Sequence, residues 1–205
     1  MKFQIFKQKF KSEEYIFFGV AIFTLSVIAF RIYSQYGCNI KTNILFLVLI
    51  VIFLPLIFLA YKDFKTFEVD HYTSLILLTI FALLNIILFL VKGNTFEIPL
   101  TEKLAYLPYQ NLLGGVTLGA IFQLLVLLTK EKGLGQGDVR IAIISGLLVG
   151  FDGLIPWLYI TIFSSLLYGI IIAIKRRKFR GLKIPFVPFM VFGVVLQRIV
   201  HLFCV

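Results

Sequence analysis

Long apolar runs separated by short polar clusters set the pattern of this chain. A bilayer core takes about 20 residues of helix to cross, and several runs approach that length without a charge. The pattern predicts an all-α, polytopic membrane protein with about seven spans: Tyr15 to Tyr33, Ile44 to Tyr61, Tyr72 to Val91, Leu112 to Thr129, Val139 to Gly150, Leu154 to Ile174 and Val187 to Phe203. Ahead of them, Met1 to Lys11 spaces Phe3, Phe6 and Phe10 among Lys2, Lys7, Lys9 and Lys11, as a basic interfacial helix does. The expected organisation is therefore an interfacial segment (1–14), a first span with a short outer loop (15–43) and a six-helix core (44–205). The first apolar run has no small-residue cleavage site, so it is expected to stay in the protein.

The fifth and sixth spans are separated on two grounds. Apolar residues run almost unbroken from Ile141 to Ile174, too far for one ordinary helix, and Phe151-Asp152-Gly153 followed by Pro156 supplies a tight hairpin. Charge agrees. Cytoplasmic loops collect Lys and Arg, and seven spans with a cytoplasmic N-terminus put Lys62, Lys65, Lys130, Lys132, Arg140 and the Lys175 to Lys183 cluster inside, with the N-terminal lysines. Only Arg31, Lys41, Lys92, Lys103 and Arg198 fall at the outer side. A single span over Ile141 to Ile174 would send the Lys175 to Lys183 cluster out.

Composition sharpens this picture. The 205 residues are 60% apolar and 15% charged, against roughly 25% charged in soluble domains, and mean hydropathy is +1.00. A water-soluble domain of this length cannot hide so much apolar surface. The net charge of +10 lies in loop clusters, the pattern of a lipid-facing topology signal, so nucleic acid is not an expected partner. Cys38 and Cys204 are read as single apolar residues, and His71 and His201 fall at opposite faces. No metal or cofactor is expected.

Parity brings two carboxylates to one face. Asp63 closes the second span and Asp138 opens the fifth, both at the inner side, so they can meet. Alone, Asp63 reads as a solvated juxtamembrane charge beside Lys62 and Lys65, and Asp138 as a helix cap. As a pair sharing a proton they supply an acid and a base together. Asp138 ends Gly133-Leu134-Gly135-Gln136-Gly137-Asp138, whose alternating glycines are expected to form an unwound loop able to approach an extended peptide closely. Gly115 and Gly119 form a small-residue spacing that suits helix packing. Pro185 and Pro188, flanking Phe186, predict a rigid approach to the last span.

Asp63, Gly135-Gln136-Gly137-Asp138 with Val139-Arg140, and Ile184-Pro185-Phe186-Val187-Pro188-Phe189 together resemble the type IV prepilin peptidase family, GxGD intramembrane aspartyl peptidases, over about Ile44 to Val205. The resemblance implies that Asp63 and Asp138 are catalytic, that Gly135, Gln136 and Gly137 form the active-site loop, and that Pro185, Phe186 and Pro188 lie in a substrate-contact segment. It implies cleavage of the basic leader of pilin-like precursors at the cytoplasmic face of the cell (inner) membrane. The chain departs from the family in two places. Val69-Asp70 stands where members commonly have Ile-Pro, which makes Asp70 a rival acid, and Ser34 to Asn43 leaves no room for the paired-cysteine domain associated with N-methylation, an activity not carried over. The alternatives are a proton- or cation-coupled transporter using the same carboxylates, and a non-catalytic assembly factor.

Overall fold

The structure is a computed structural model and describes residues 26–27, 30, 33–34, 40–92, 96–97, 105–106, 108–130, 134–177 and 184–204. The interfacial segment expected over 1–14 lies outside the described residues, as does most of the first expected span.

Six helices have described bounds: α1 (Ile40–Thr66), α2 (His71–Lys92), α3 (Pro108–Thr129), α4 (Gln136–Val149), α5 (Leu154–Arg176) and α6 (Val187–Cys204). Three contain segments long and apolar enough to cross a membrane, His71–Val91, Tyr109–Thr129 and Leu154–Lys175, and Val187–Arg198 is a shorter apolar helix. Leucine, isoleucine and phenylalanine cover the outward faces of these helices, including Ile76, Ile80, Ile87, Leu124, Leu128, Phe163 and Ile170. In lipid those faces are solvated by acyl chains, and the backbone groups of the helix interiors are satisfied within each helix. One detail departs from the all-helical expectation. Phe96–Glu97 and Ala105–Tyr106 form an antiparallel two-residue ladder between α2 and α3, with Phe96 opposite Tyr106 and Glu97 opposite Ala105.

The chain divides into two compact units, 1–57 and 58–205. In the first, Tyr33 Oη donates to Asn43 Oδ1 at 2.7 Å.

In the second unit the helix at the centre is the shortest. At 14 residues, α4 is about 21 Å long, less than the roughly 30 Å hydrocarbon thickness, and it packs against α2, α3, α5 and α6. It is buried nearly all round through Val139, Ile141, Ala142, Ile144, Ser145, Leu147 and Val149, the signature of a helix enclosed by others. Its closest neighbour is α3. A Cβ built on Gly146 would lie 2.4 Å from the Gly114 carbonyl oxygen, and one on Gly114 2.7 Å from that of Gly146. The backbones therefore touch there, and Gly115 and Gly119 receive the Leu147 and Ile143 side chains. These small residues let dispersion contacts replace the hydrophobic drive that lipid removes.

Two ends of this unit bear on the site. Gly150, at a φ of 75° that L side chains rarely adopt, ends α4 and starts the hairpin into α5. On α5, Trp157 is fully buried and its Nε1 donates to the Met190 carbonyl at 3.1 Å, fixing α5 to the start of α6.

Candidate active site

Asp63 lies inside α1, three residues before its last residue Thr66, and is 5% exposed. The helix stops because Phe67 turns left-handed at φ 56° and its N–H donates to the Asp63 carbonyl at 2.8 Å. An aromatic residue at positive φ is a strained choice, and it sends the chain directly into the turn 67–70. The Asp63 carboxylate itself reaches α6. Val187 N–H donates to Asp63 Oδ2 at 3.1 Å, and the Phe186 N–H also points at the group. The first amides of a helix have no partner within it, and their dipole favours an anion. Pro188, in that first turn, removes one N–H that would otherwise need one.

Asp138 occupies the first turn of α4 and is half-buried. Its Oδ2 accepts from Gly135 N–H at 3.0 Å, and its own N–H donates to the Gly135 carbonyl at 3.1 Å. This is the helical half of a capping box. Among the described residues its other oxygen, Oδ1, receives no hydrogen bond.

The expected unwound glycine loop is corrected here. α4 already begins at Gln136, so Gln136, Gly137 and Asp138 are helical, and Gly135, with φ of −91°, keeps an extended conformation as the cap. Neither Gly135 nor Gly137 has positive φ. Gly137 instead answers a close approach: a Cβ there would stand 2.6 Å from Val69 Cβ, whereas one on Gly135 meets nothing nearer than 3.9 Å.

The structure brings Asp63 and Asp138 within electrostatic reach of one another, since the charge on Asp138 acts on Asp63. Phe186 and Val187 belong to the same cluster. Pro185 is buried and Pro188 half-buried beside it, while Gln136 is exposed.

Asp70 has a different setting. Lys62 donates to its Oδ1 in an ion pair, and Thr73 donates to its Oδ2 from N–H at 3.0 Å and from Oγ1 at 2.6 Å. Asp70 is thus the N-cap of α2. The Lys62 hydrogen bond first, and then those from Thr73, hold its carboxyl well below the usual carboxylate range. An acid fixed in its charged form by three donors makes a poor proton carrier.

Sequence reasoning missed several neighbours: Lys62 as the Asp70 partner, Val69 against Gly137, the amides of Phe186 and Val187 on Asp63, and a contact between His71 and Arg140. None of these has a local signal, in contrast to two short-range contacts that do, the Asp70-x-x-Thr73 cap and the Gly135-x-x-Asp138 box. Among the described residues no group of three His, Cys, Asp or Glu side chains could hold a metal ion.

The fold and this cluster define a helical membrane protein with two acidic side chains drawn to one end of a short, enclosed helix. A model of the type IV leader peptidase family matches residues 48–174, more than half of the chain, and the protein belongs to that family. No curated protein and no solved structure matches the chain.

Proposed function

We propose that the protein is an intramembrane aspartic endopeptidase that removes the basic leader of type IV pilin-like precursors at the cytoplasmic face of the cell membrane, with Asp63 and Asp138 as its catalytic pair. Family membership supports a leader-peptidase-type protease. The observation that carries the finer reading is the approach of Asp138 to the buried Asp63, each carboxylate being steadied by backbone amides.

Two like charges within electrostatic reach disfavour double ionisation, and in the proposed reaction the pair carries one proton between them. The ionised carboxylate takes a proton from water as the water oxygen bonds to the scissile carbonyl carbon. The protonated carboxyl donates to the carbonyl oxygen, forming a neutral diol. Collapse of the diol breaks the C–N bond as a proton passes to the leaving nitrogen, and the pair is left with one proton as before. No covalent nucleophile is needed.

Asp63 and Asp138 lie where a cytoplasmic leader would meet the hydrophobic helix of its precursor, given the sidedness expected from the charge pattern. Gly135, Gln136 and Gly137 would line the approach, and Pro185, Phe186 and Pro188 would contact substrate. Among the described residues no observation favours a transporter. Cleavage of a pilin-like precursor by wild type and by Asp63→Asn and Asp138→Asn tests the proposal. Wild-type cutting with both variants silent is expected, and cutting by both variants would refute it.

A further inference from the structure

His71 is the first residue of α2, and Arg140 lies in the first turn and a half of α4. Arg140 Nη1 stands 2.7 Å from His71 Nδ1. A guanidinium can only donate, so the contact requires Nδ1 to be the acceptor and the proton of a neutral imidazole to sit on Nε2. Beside His71, Tyr72 meets its ring edge-on at 5.7 Å, and Asp70 is engaged with Lys62 and Thr73.

The same short turn touches α4 at a second point, where Val69 packs on Gly137. Asp138 lies between the two points in sequence. The turn is also tied back to α1 by the ion pair of Asp70 with Lys62, the residue next to Asp63. Residues 69–71 therefore connect the helix bearing one carboxylate to the helix bearing the other.

We propose that residues 69–71 act as a clamp that fixes how Asp63 and Asp138 face one another, with His71 and Arg140 as positioning residues. This rests on the catalytic reading of the two aspartates. The His71 to Arg140 contact is exposed, so it adds little to folding, where net hydrogen-bond contributions are small. Catalysis is far more sensitive, since a misplacement of about 1 Å costs on the order of 100-fold in rate. The effect of the clamp belongs in kcat.

The test measures kcat and KM of the full chain on a synthetic precursor, a short leader containing Lys and Arg ahead of an apolar helix of about 20 residues. His71→Ala and Arg140→Ala are each expected to lower kcat by about tenfold or more while KM stays within about twofold. The double variant should fall no further than the worse single one, because both break the same contact. His71→Asn, whose Oδ1 offers an acceptor near the place of Nδ1, should recover most of kcat, and His71→Gln, whose acceptor sits at the place of Nε2, should not. Those two variants are similar in polarity and size, so the comparison survives if the alanine proteins accumulate poorly.

Wild-type kcat in the alanine variants, a double variant that multiplies the two losses, or equal behaviour of Asn and Gln at position 71 would overturn the clamp. Asp63→Asn and Asp138→Asn are run in the same series. If they are silent while the His71 and Arg140 variants cut normally, the clamp fails and the catalytic pair stands; if they cut, the catalytic reading fails and the clamp with it.

Discussion

The Asp63 carboxylate completes the N-terminus of the last helix, accepting the Val187 N–H at 3.1 Å across a separation of 124 residues in sequence. One side chain thus has a packing duty and a proposed chemical one, and substitutions can separate them. Asparagine keeps an oxygen to accept from Val187, while alanine leaves a buried amide without a partner, which costs about 1–3 kcal/mol. Asp63→Ala is expected to unfold at lower temperature than Asp63→Asn in detergent, with neither cutting precursor. Equal stability of the two would show that the Val187 contact contributes nothing.

Asp70 is expected to act as the cap of α2 and the tie to Lys62, a role an amide oxygen can largely fill, and not as an acid in the reaction. Asp70→Asn should retain at least about a third of wild-type activity, since an amide oxygen still caps α2. The pH dependence has a definite sign. Asp70 has its carboxyl lowered from 3.8 in the folded protein, so its stabilising effect is fully present above that value and fades as pH falls through the lowered one. The melting-temperature difference between wild type and Asp70→Asn should be constant from neutral to mildly acidic pH and shrink below about pH 4. Added salt should also shrink it, because the pair with Lys62 is partly exposed.

The two glycines before Asp138 should respond differently. Gly135→Ala makes only ordinary contacts, the nearest with Asp138 Oδ2 at 3.9 Å, whereas Gly137→Ala drives a methyl group into Val69. Cleavage assays are expected to show Gly135→Ala near wild type and Gly137→Ala reduced by about tenfold or more through displacement of the neighbouring carboxylate. Val69→Gly removes the clashing Cβ and should partly restore Gly137→Ala. Equal loss in both single variants would favour a direct substrate contact over the packing explanation.

Along the contact of α3 and α4, cost should follow what each new Cβ would meet. Gly146→Ala and Gly114→Ala press on backbone, while Gly119→Ala presses on the flexible side chain of Ile143. The first two should destabilise by about 1–3 kcal/mol, as overpacking does, and Gly119→Ala by less. Thermal unfolding in detergent ranks the three.

Much of this architecture was legible in the sequence because lipid makes long apolar runs unambiguous. The spans read as Tyr72 to Val91, Leu154 to Ile174 and Val187 to Phe203 appear as helices His71–Lys92, Leu154–Arg176 and Val187–Cys204. Glycine and proline at 153, 156, 185 and 188 mark the starts of the last two. Helix ends near the aspartates were harder. α1 runs on to Thr66 beyond the apolar residues, since a helix outlasts its membrane face wherever capping allows, and α4 starts before Val139 because Asp138 caps it from inside. Counting glycines suggested an unwound loop; the physical reason for Gly137 is Val69, which only the folded chain reveals. Parity put Asp63 and Asp138 on one face, but no periodicity encodes that Val187 would hold the first of them or that Arg140 would find His71.

The role proposed for Asp63 and Asp138 is to perform the cleavage together. Its most direct test is single-turnover cleavage of a pilin-like precursor in membranes containing wild type, Asp63→Asn, Asp138→Asn or Asp70→Asn at matched protein levels. The expected result is leader release by wild type and Asp70→Asn, with loss of about 1,000-fold or more in each of the other two. Retained cleavage in Asp63→Asn together with loss in Asp70→Asn would contradict the assignment and move the second acid to position 70.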